Sequence, residues 1–474
     1  MIFSSEVFLF GFLPLLLGLY FAAPSNRLRN VVLVIASLFF YFWGEGRYVL
    51  LVVGLALLNY AFARGLWLIP DAATKLRRVV LAAAVAADVG TLVYFKYTTF
   101  LAQNIHAALG GSIGAQLAAS QIYLPLGISF FSFHAVSYVV DVYRRTSAAR
   151  RNSLEAILYF VFFPQLIAGP IIRYKDVAEQ LSARVITIDD LAYGIRRFVV
   201  GLAKKVLIAD TLAGPVDRIF ATSPTELSAT AAWFGILAYA LQIYFDFSGY
   251  SDMAIGLARM FGFRFLENFN FPYVADSIRE FWRRWNISLS RWMRDYLYIP
   301  LGGNRVAAWR VYANLFIVFF LCGLWHGAKW TFVVWGLIHG LFMVLERIGL
   351  LRRVTGLPVV RHVYALSVIC FAWVFFRADS FPYALGFLEA LVRPSPAATL
   401  ALSATVSNET WAVFFLGCFF ATPLASQVVE AALHARRGTV VATAFAQAAA
   451  LVLFVASVAK LAAGSYNPFI YFRF

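Results

Sequence analysis

Apolar residues run along this chain in long, nearly unbroken stretches, and polar residues gather in the gaps between them. A helix that crosses a membrane needs about 20 apolar residues. Stretches of that kind lie near 6–23, 31–44, 48–69, 79–100, 121–143, 196–213, 231–258, 311–325, 330–346, 362–378, 409–428 and 439–463. The pattern predicts an all-α polytopic membrane protein with about 11–12 spans. The stretch 155–172 departs from it, because it contains Phe162-Phe163-Pro164-Gln165-Leu166-Ile167-Ala168-Gly169-Pro170. Prolines break helices, so this segment reads as a re-entrant or broken hairpin. Such backbone survives at membrane depth only where protein or a watery cavity covers it. Residues 259–310 are too polar to span. There Trp282, Trp285, Leu289, Trp292 and Tyr296 recur at three- and four-residue steps, with Arg283, Arg284, Arg291 and Arg294 on the other faces. That is the helical period, and indoles beside arginines predict a helix lying at the membrane–water boundary.

Composition supports the membrane reading. Of 474 residues, 62% are apolar and 14% charged, whereas a soluble chain is about half apolar and a quarter charged. No polar linker divides the chain, so residues 1–474 read as one integral-membrane domain. Residues 2–23 lack a basic start and a small-residue cleavage site, which makes them a first span rather than a removed signal peptide. The net charge of +16 would suit nucleic acid, but the basic residues sit between spans. Arg27 and Arg29, then Lys75, Arg77 and Arg78, then Arg144, Arg145, Arg150 and Arg151 follow alternate spans, while 102–120 holds no Lys or Arg. The positive-inside rule puts these clusters in the cytoplasm and the N-terminus outside. Cys322, Cys370 and Cys418 lie within apolar runs, at spacings that suggest neither a disulfide framework nor a metal site.

The candidate chemistry centres on Cys322-Gly323-Leu324-Trp325-His326-Gly327 and on His339 in the next apolar run. A histidine is costly to bury unless neutral and hydrogen-bonded, and within a membrane it is a functional candidate by default. The alternative is a core histidine that ties two helices together. Arginines of the 279–294 segment could receive the phosphates of an anionic donor, and Asn286 and Ser288 beside them are polar groups that anchoring would not need. Asp246 and Asp252 lie on one apolar run but six residues apart, so they do not share a helical face as an acid/base pair would. His134 reads as a satisfied core histidine and Lys96 as a snorkelling lysine. No Gly-x-Ser-x-Gly elbow, His-Glu-x-x-His or phosphate-binding glycine loop is present, which removes the usual support for hydrolase, zinc-protease or nucleotide-triphosphatase readings. At the end, Pro468 stops the helix and leaves an aromatic tail, 464–474, as an interfacial belt or a segment folded back into the protein.

Taken in order, several strings resemble the membrane-bound O-acyltransferase (MBOAT) family. They are Val7-Phe8-Leu9-Phe10, Leu124-Pro125-Leu126-Gly127-Ile128-Ser129-Phe130, Leu166-Ile167-Ala168-Gly169-Pro170, the run from Tyr244 to Asp252, Phe281-Trp282-Arg283-Arg284-Trp285, Arg294-Asp295-Tyr296-Leu297-Tyr298, Leu301-Gly302-Gly303-Asn304-Arg305 and Gly323-Leu324-Trp325-His326-Gly327. The resemblance covers nearly the whole chain, and the branch it looks most like is the one that serves alginate O-acetylation. Related members O-acetylate peptidoglycan or other exopolysaccharides, or handle D-alanine for teichoic acids.

The resemblance implies a helical bundle around a central funnel, with its core motifs in 121–346. It makes His326 the catalytic histidine, with Asn286 beside it in the site. In the alginate-type branch the string reads Arg-Trp-His-Ile-Ser, so this chain departs by carrying Asn286 in place of a second histidine. An amide can orient an imidazole or polarise a carbonyl, but it cannot exchange protons near neutrality. Arg283, Arg284, Arg291, Ser288, Trp325 and His339 become donor-binding or orienting residues, and Tyr471 an acyl relay. The implied donor is acetyl-CoA, with no bound cofactor or metal. The implied partners are a periplasmic SGNH-type acetyltransferase and an exported polysaccharide, with the protein in the bacterial inner membrane and no nucleic acid involved. Competing classes are a transporter for acyl groups or lipid-linked sugars, which the broken helix and intramembrane carboxylates would suit, and a scaffold for polysaccharide export.

The charge alternation yields a direct test of orientation. Single cysteines in 144–151 and in 102–120, in a background without other cysteines, are expected to react with an impermeant thiol reagent in intact cells only at the second site. Reversed labelling would invert the topology.

Overall fold

The apolar runs fold as helices, as their length requires: in lipid, a helix satisfies its own backbone. The computed structural model describes residues 1–110, 122–350, 357–393, 402–427, 440–464 and 469–470, and among them all regular structure is helical. Tyr471 lies outside the described residues. Among the described residues six helices are long and apolar enough to cross a membrane: Asn26–Glu45, Tyr48–Leu68, Thr74–Leu109, Ala308–His326, Pro358–Arg377 and Ala444–Ala462. This is fewer than the expected spans, and the difference has visible causes. The helices Val7–Ala22, Ile128–Tyr143 and Phe381–Val392 are apolar but shorter. Asn408–Phe420 ends after 13 residues. The 32-residue helix Ala229–Met260 has the length but carries buried carboxylates. Thr74–Leu109 runs 36 residues, so part of the expected 102–120 connection continues the helix.

By contacts the chain forms two units, residues 1–197 with 253–266, and residues 198–252 with 267–474. In the first, the expected broken segment is present. Helix Ser153–Val161 is capped by Asn152, whose side chain accepts from the Leu154 amide, and it ends at an extended Phe162. One turn, Phe163–Leu166, follows. Residues 158–174 are all buried, and protein groups satisfy the irregular backbone. The Phe163 amide donates to Ser37 Oγ at 3.1 Å, and the Tyr159 hydroxyl donates to the Ile172 carbonyl at 2.9 Å. Gly127 adopts φ +78°, and a Cβ there would meet the Leu166 carbonyl oxygen at 2.5 Å. Two expectations change here. Lys96 does not snorkel outward; its ammonium donates to Ser129 Oγ at 3.2 Å. His134 is a core residue beside the Tyr159 ring, but neither ring nitrogen has a hydrogen-bond partner among the described residues.

In the second unit a π-helical turn, Lys204–Ala209, is set between helices Ile188–Ala203 and Asp210–Ala221. The wider turn aligns residues five apart, and the Lys205 ammonium meets Asp210 Oδ1 at 2.6 Å. Helix Ala229–Met260 approaches this turn at Gly249, where a Cβ would lie 2.7 Å from the Gly201 carbonyl oxygen and 3.1 Å from the Lys205 nitrogen. The approach brings Asp246 to Lys205 at 2.7 Å and Asp252 to Lys204 at 2.7 Å. Asp246 and Asp252 thus serve different lysines, in keeping with their spacing.

Helices Ala308–His326 and Trp330–Arg347 form a hairpin with a very close crossing. A Cβ on Gly336 would lie 3.2 Å from the Gly323 Cα and would strike the Phe319 carbonyl oxygen, and a Cβ on Gly323 would strike that of Phe332. Small residues let membrane helices approach closely. Gly336→Ala is therefore expected to destabilise the purified protein by about 1–3 kcal/mol, the usual cost of overpacking, and to lower its unfolding temperature in detergent. Gly54→Ala, where an added Cβ meets nothing within 4 Å, is expected to leave that temperature unchanged or raise it. Equal behaviour of the two variants would deny the close crossing.

Candidate active site

His326 occupies the last turn of its helix, immediately before the extended Gly327. It is 4% exposed, and His339 on the facing helix is fully buried. Aromatic rings enclose both. The His326 ring lies 4.9 Å from Trp335, 4.8 Å from Trp325 and 5.2 Å from Phe376. The His339 ring lies 5.0 Å from Trp335 and 5.3 Å from Trp282, and it stacks on Phe281 at 5.8 Å. Trp335 therefore touches both histidines, and the two are held in one cage by the hairpin crossing.

The Trp-rich segment supplies another wall, but not as the single boundary helix its spacing predicted. Helix Ile278–Arg284 begins at Ser277, whose hydroxyl accepts from the Glu280 amide as an N-cap. Glu346, at the end of the His339 helix, also holds this start: its carboxylate accepts the amides of Ile278 at 2.6 Å and Arg279 at 3.1 Å. The helix stops at Trp285. Asn286 then takes a left-handed conformation, φ +42°, and a second short helix runs Ile287–Met293. Trp282, Trp285 and Trp292 are all buried, whereas Trp309 and Trp330 are among the exposed indoles. The recurring tryptophans are therefore core residues. Trp285 lies 5.0 Å from Trp373, which stacks on Trp335 at 5.9 Å, so rings run from the Asn286 turn to His326.

Asn268 fixes the turn. Its side-chain oxygen accepts the Ser288 hydroxyl at 2.8 Å and the Ser288 amide at 3.1 Å, and its backbone oxygen accepts the Ile287 amide at 3.0 Å. Its own amide group donates to Ser251 Oγ at 3.1 Å. Ser288 is thereby a structural tie. Arg284 is another, since it bonds Glu280 at 2.8 Å and the Asn270 carbonyl at 3.2 Å. Arg283 is exposed and weakly paired to Glu280, Arg291 is half-buried at the end of the second short helix, and Trp325 is buried against His326. Asn268, Trp335, Trp373, Phe376 and Glu346 were not singled out from the sequence. Their signal was faint: asparagines near Pro272, and aromatics that any apolar span carries.

The cage and the segments that lead to it hold buried polar atoms. Asn286 Nδ2, Trp282 Nε1, Trp335 Nε1, Thr331 Oγ1 and both His339 ring nitrogens are buried with no hydrogen-bond partner among the described residues. Leaving such a group unpaired costs about 1–3 kcal/mol, so these groups are free to bond a polar ligand. Buried donors beside an imidazole suit the stabilisation of a developing oxyanion and proton transfer. Among the described residues no group of three His, Cys, Asp or Glu could hold a metal ion.

The left-handed backbone separates two roles of Asn286. Asn and His are enriched in that conformation and glycine adopts it freely, while a branched side chain pays about 1–2 kcal/mol there. Asn286→Gly is expected to accumulate like the unaltered protein yet lose activity, Asn286→His to keep substantial activity, and Asn286→Val to lose abundance as well. Membrane immunoblots together with an activity assay check this, and an active Asn286→Gly would remove the amide from the chemistry.

Comparisons with known proteins bear on the family. A family model described as "MBOAT, membrane-bound O-acyltransferase family" matches residues 87–382. The chain is 40% identical to the probable alginate O-acetylase AlgI of Azotobacter vinelandii, over 100% of both chains. It is 36% identical to the peptidoglycan O-acetyltransferase of Helicobacter pylori, over 83% of this chain and 80% of that one. It is 28% identical to the teichoic acid D-alanyltransferase of Bacillus subtilis, over 54% of this chain and 69% of that one. With a caged histidine, a helical membrane bundle and end-to-end similarity of this kind, the chain belongs to the membrane-bound O-acyltransferase family.

Proposed function

We propose that this acyltransferase takes an acetyl group from acetyl-CoA on the cytoplasmic side and delivers it for O-acetylation of an exported polysaccharide, most specifically alginate. The observation that carries the reading is the enclosed His326 in a chain 40% identical, end to end, to a probable alginate O-acetylase. The similarity to a peptidoglycan O-acetyltransferase supports peptidoglycan or another exopolysaccharide as the second reading. The buried carboxylates Asp246 and Asp252 would also suit a transporter that makes no bonds, but their lysine partners give them a structural role.

In the proposed reaction His326 removes the proton from an acceptor hydroxyl, and the oxygen attacks the thioester carbonyl. Asn286 and the indole N–H groups of Trp282 and Trp335 offer hydrogen bonds to the oxygen that becomes negative. As the carbon–sulfur bond breaks, His326 returns its proton to the departing thiolate. The partial negative charge at the carbonyl end of its helix favours the imidazolium in between. His339 and Trp325 orient the site, while Arg283 and Arg291 draw the donor's phosphates toward it and Arg284, tied to Glu280, adds its charge from a fixed place. The first acceptor would be the Tyr471 hydroxyl, as an acyl relay, and a periplasmic SGNH-type acetyltransferase would complete transfer to the polymer. On this reading the protein works in the bacterial inner membrane.

Purified protein given radiolabelled acetyl-CoA is expected to transfer or hydrolyse the acetyl group, which a transporter would not do. His326→Ala is expected to lower the rate by about 10²–10⁴-fold, the usual contribution of a general base, with membrane abundance near normal. If the variant disappears from the membrane while its remaining molecules stay active, His326 is a core residue.

A further inference from the structure

Two residues near the C-terminus are packed inside the protein. Phe469 and Ile470 are 2% and 4% exposed, which an anchor lying in the membrane boundary would not be. The Phe469 ring stacks on Tyr250 at 4.6 Å and lies 5.9 Å from Phe247. The Ile470 amide donates to Asp246 Oδ2 at 2.7 Å. Asp246 is the carboxylate whose other oxygen meets Lys205, and Lys205 already has Asp210 at 2.6 Å. One ammonium is thus enclosed by two carboxylates, and all three side chains are buried.

Burying charge costs several kcal/mol per ion unless each is paired and hydrogen-bonded. With both carboxylates ionised, the one ammonium of Lys205 offsets only one of them. The second carboxylate does gain a partner when a backbone N–H arrives from the tail. The same contact reaches the active site. Phe247, against which Phe469 packs, lies 5.1 Å from Phe269, and Phe269 lies 5.1 Å from Trp285, the residue before Asn286. We propose that Asp246 is a latch for the C-terminal tail, and that the tail it holds is a working part of the acyltransferase rather than a membrane anchor. Asp246 is then a positioning residue. Lys205 fixes its carboxylate, Gly249 brings its helix onto the π turn, and the aromatic pocket of Phe247 and Tyr250 receives Phe469 beside it. Only the activity arm of the test rests on the acyl-transfer reading.

The direct test is accessibility. With Cys322, Cys370 and Cys418 replaced by Ala and Ile470→Cys introduced, a bulky maleimide added to the detergent-solubilised protein is expected to label poorly. Asp246→Ala in that background is expected to abolish the protection. Rapid labelling of the parent, or unchanged protection in Asp246→Ala, overturns the latch. The second arm uses Ile470→Pro, which removes the donated N–H and leaves the ion triad intact, so it decides the matter even if Asp246→Ala fails to accumulate. Ile470→Pro, Asp246→Ala and a chain ending at Gly464 are expected to show the same loss of transfer to the acceptor at normal abundance. Adding Asp246→Ala to the shortened chain is expected to cause no further loss. Transfer at the full rate by the shortened chain or by Ile470→Pro shows that the tail is an anchor and overturns the proposal. If the tail is protected as described but the unaltered protein does not act on acetyl-CoA, the acetyl-transfer reading fails and the latch stands.

Discussion

The active site depends on how closely two helices can cross. Each glycine of the Gly323–Gly336 contact leaves room that a single methyl group would fill with a backbone clash. Lipid supplies no hydrophobic force between membrane helices, so association rests on packing and on hydrogen bonds within the protein. The crossing sets Trp335 between His326 and His339. A wider crossing would open the cage that keeps the imidazoles from water and lipid. The surroundings of His326 are therefore fixed by residues that carry no functional group.

A second frame holds the Asn286 turn, and it is polar where the first is steric. Glu346 closes one end by taking the amides at the start of helix Ile278–Arg284, and Asn268 closes the other through Ile287 and Ser288. Because Glu346 lies on the same helix as His339, the turn and the histidine hairpin are tied by hydrogen bonds as well as by stacked rings. Charge-assisted hydrogen bonds to backbone amides are about twice as strong as neutral ones. That is suited to a left-handed residue, which has to be held in place.

Much of this was legible in the sequence where one physical rule dominates. Lipid demands continuous apolar helices, so most runs predicted from hydropathy recur as helices. Pro164, Gly169 and Pro170 gave away the broken segment, and a histidine in an apolar span is rare enough to mark His326. The close crossing also had a signal, since Gly323 and Gly327, and then Gly336 and Gly340, repeat at the spacing of membrane helix contacts. The break at Trp285–Asn286 did not. A perfect helical period runs through it, and the left-handed turn is imposed by Asn268, a residue far enough away that periodicity carries no trace of it. Lys96 misled for a similar reason: its sequence neighbours suggest an outward reach, and its partner Ser129 lies on another helix. The Lys205–Asp210 pair escaped notice because it needs a π turn, whereas salt-bridge spacing is read on an α-helix.

The bond between the tail and Asp246 is made by the main chain of Ile470, not by its side chain. A contact of that kind does not read residue identity. Nearly any amino acid at position 470 can present the same N–H, so what the bond leaves to select there is a side chain that fits the buried space; proline is the exception, since it has no hydrogen to give. The burden of recognition then falls one residue earlier, on the ring of Phe469 against Tyr250. A comparison of tail sequences by residue type would accordingly undervalue position 470 and see only the aromatic beside it.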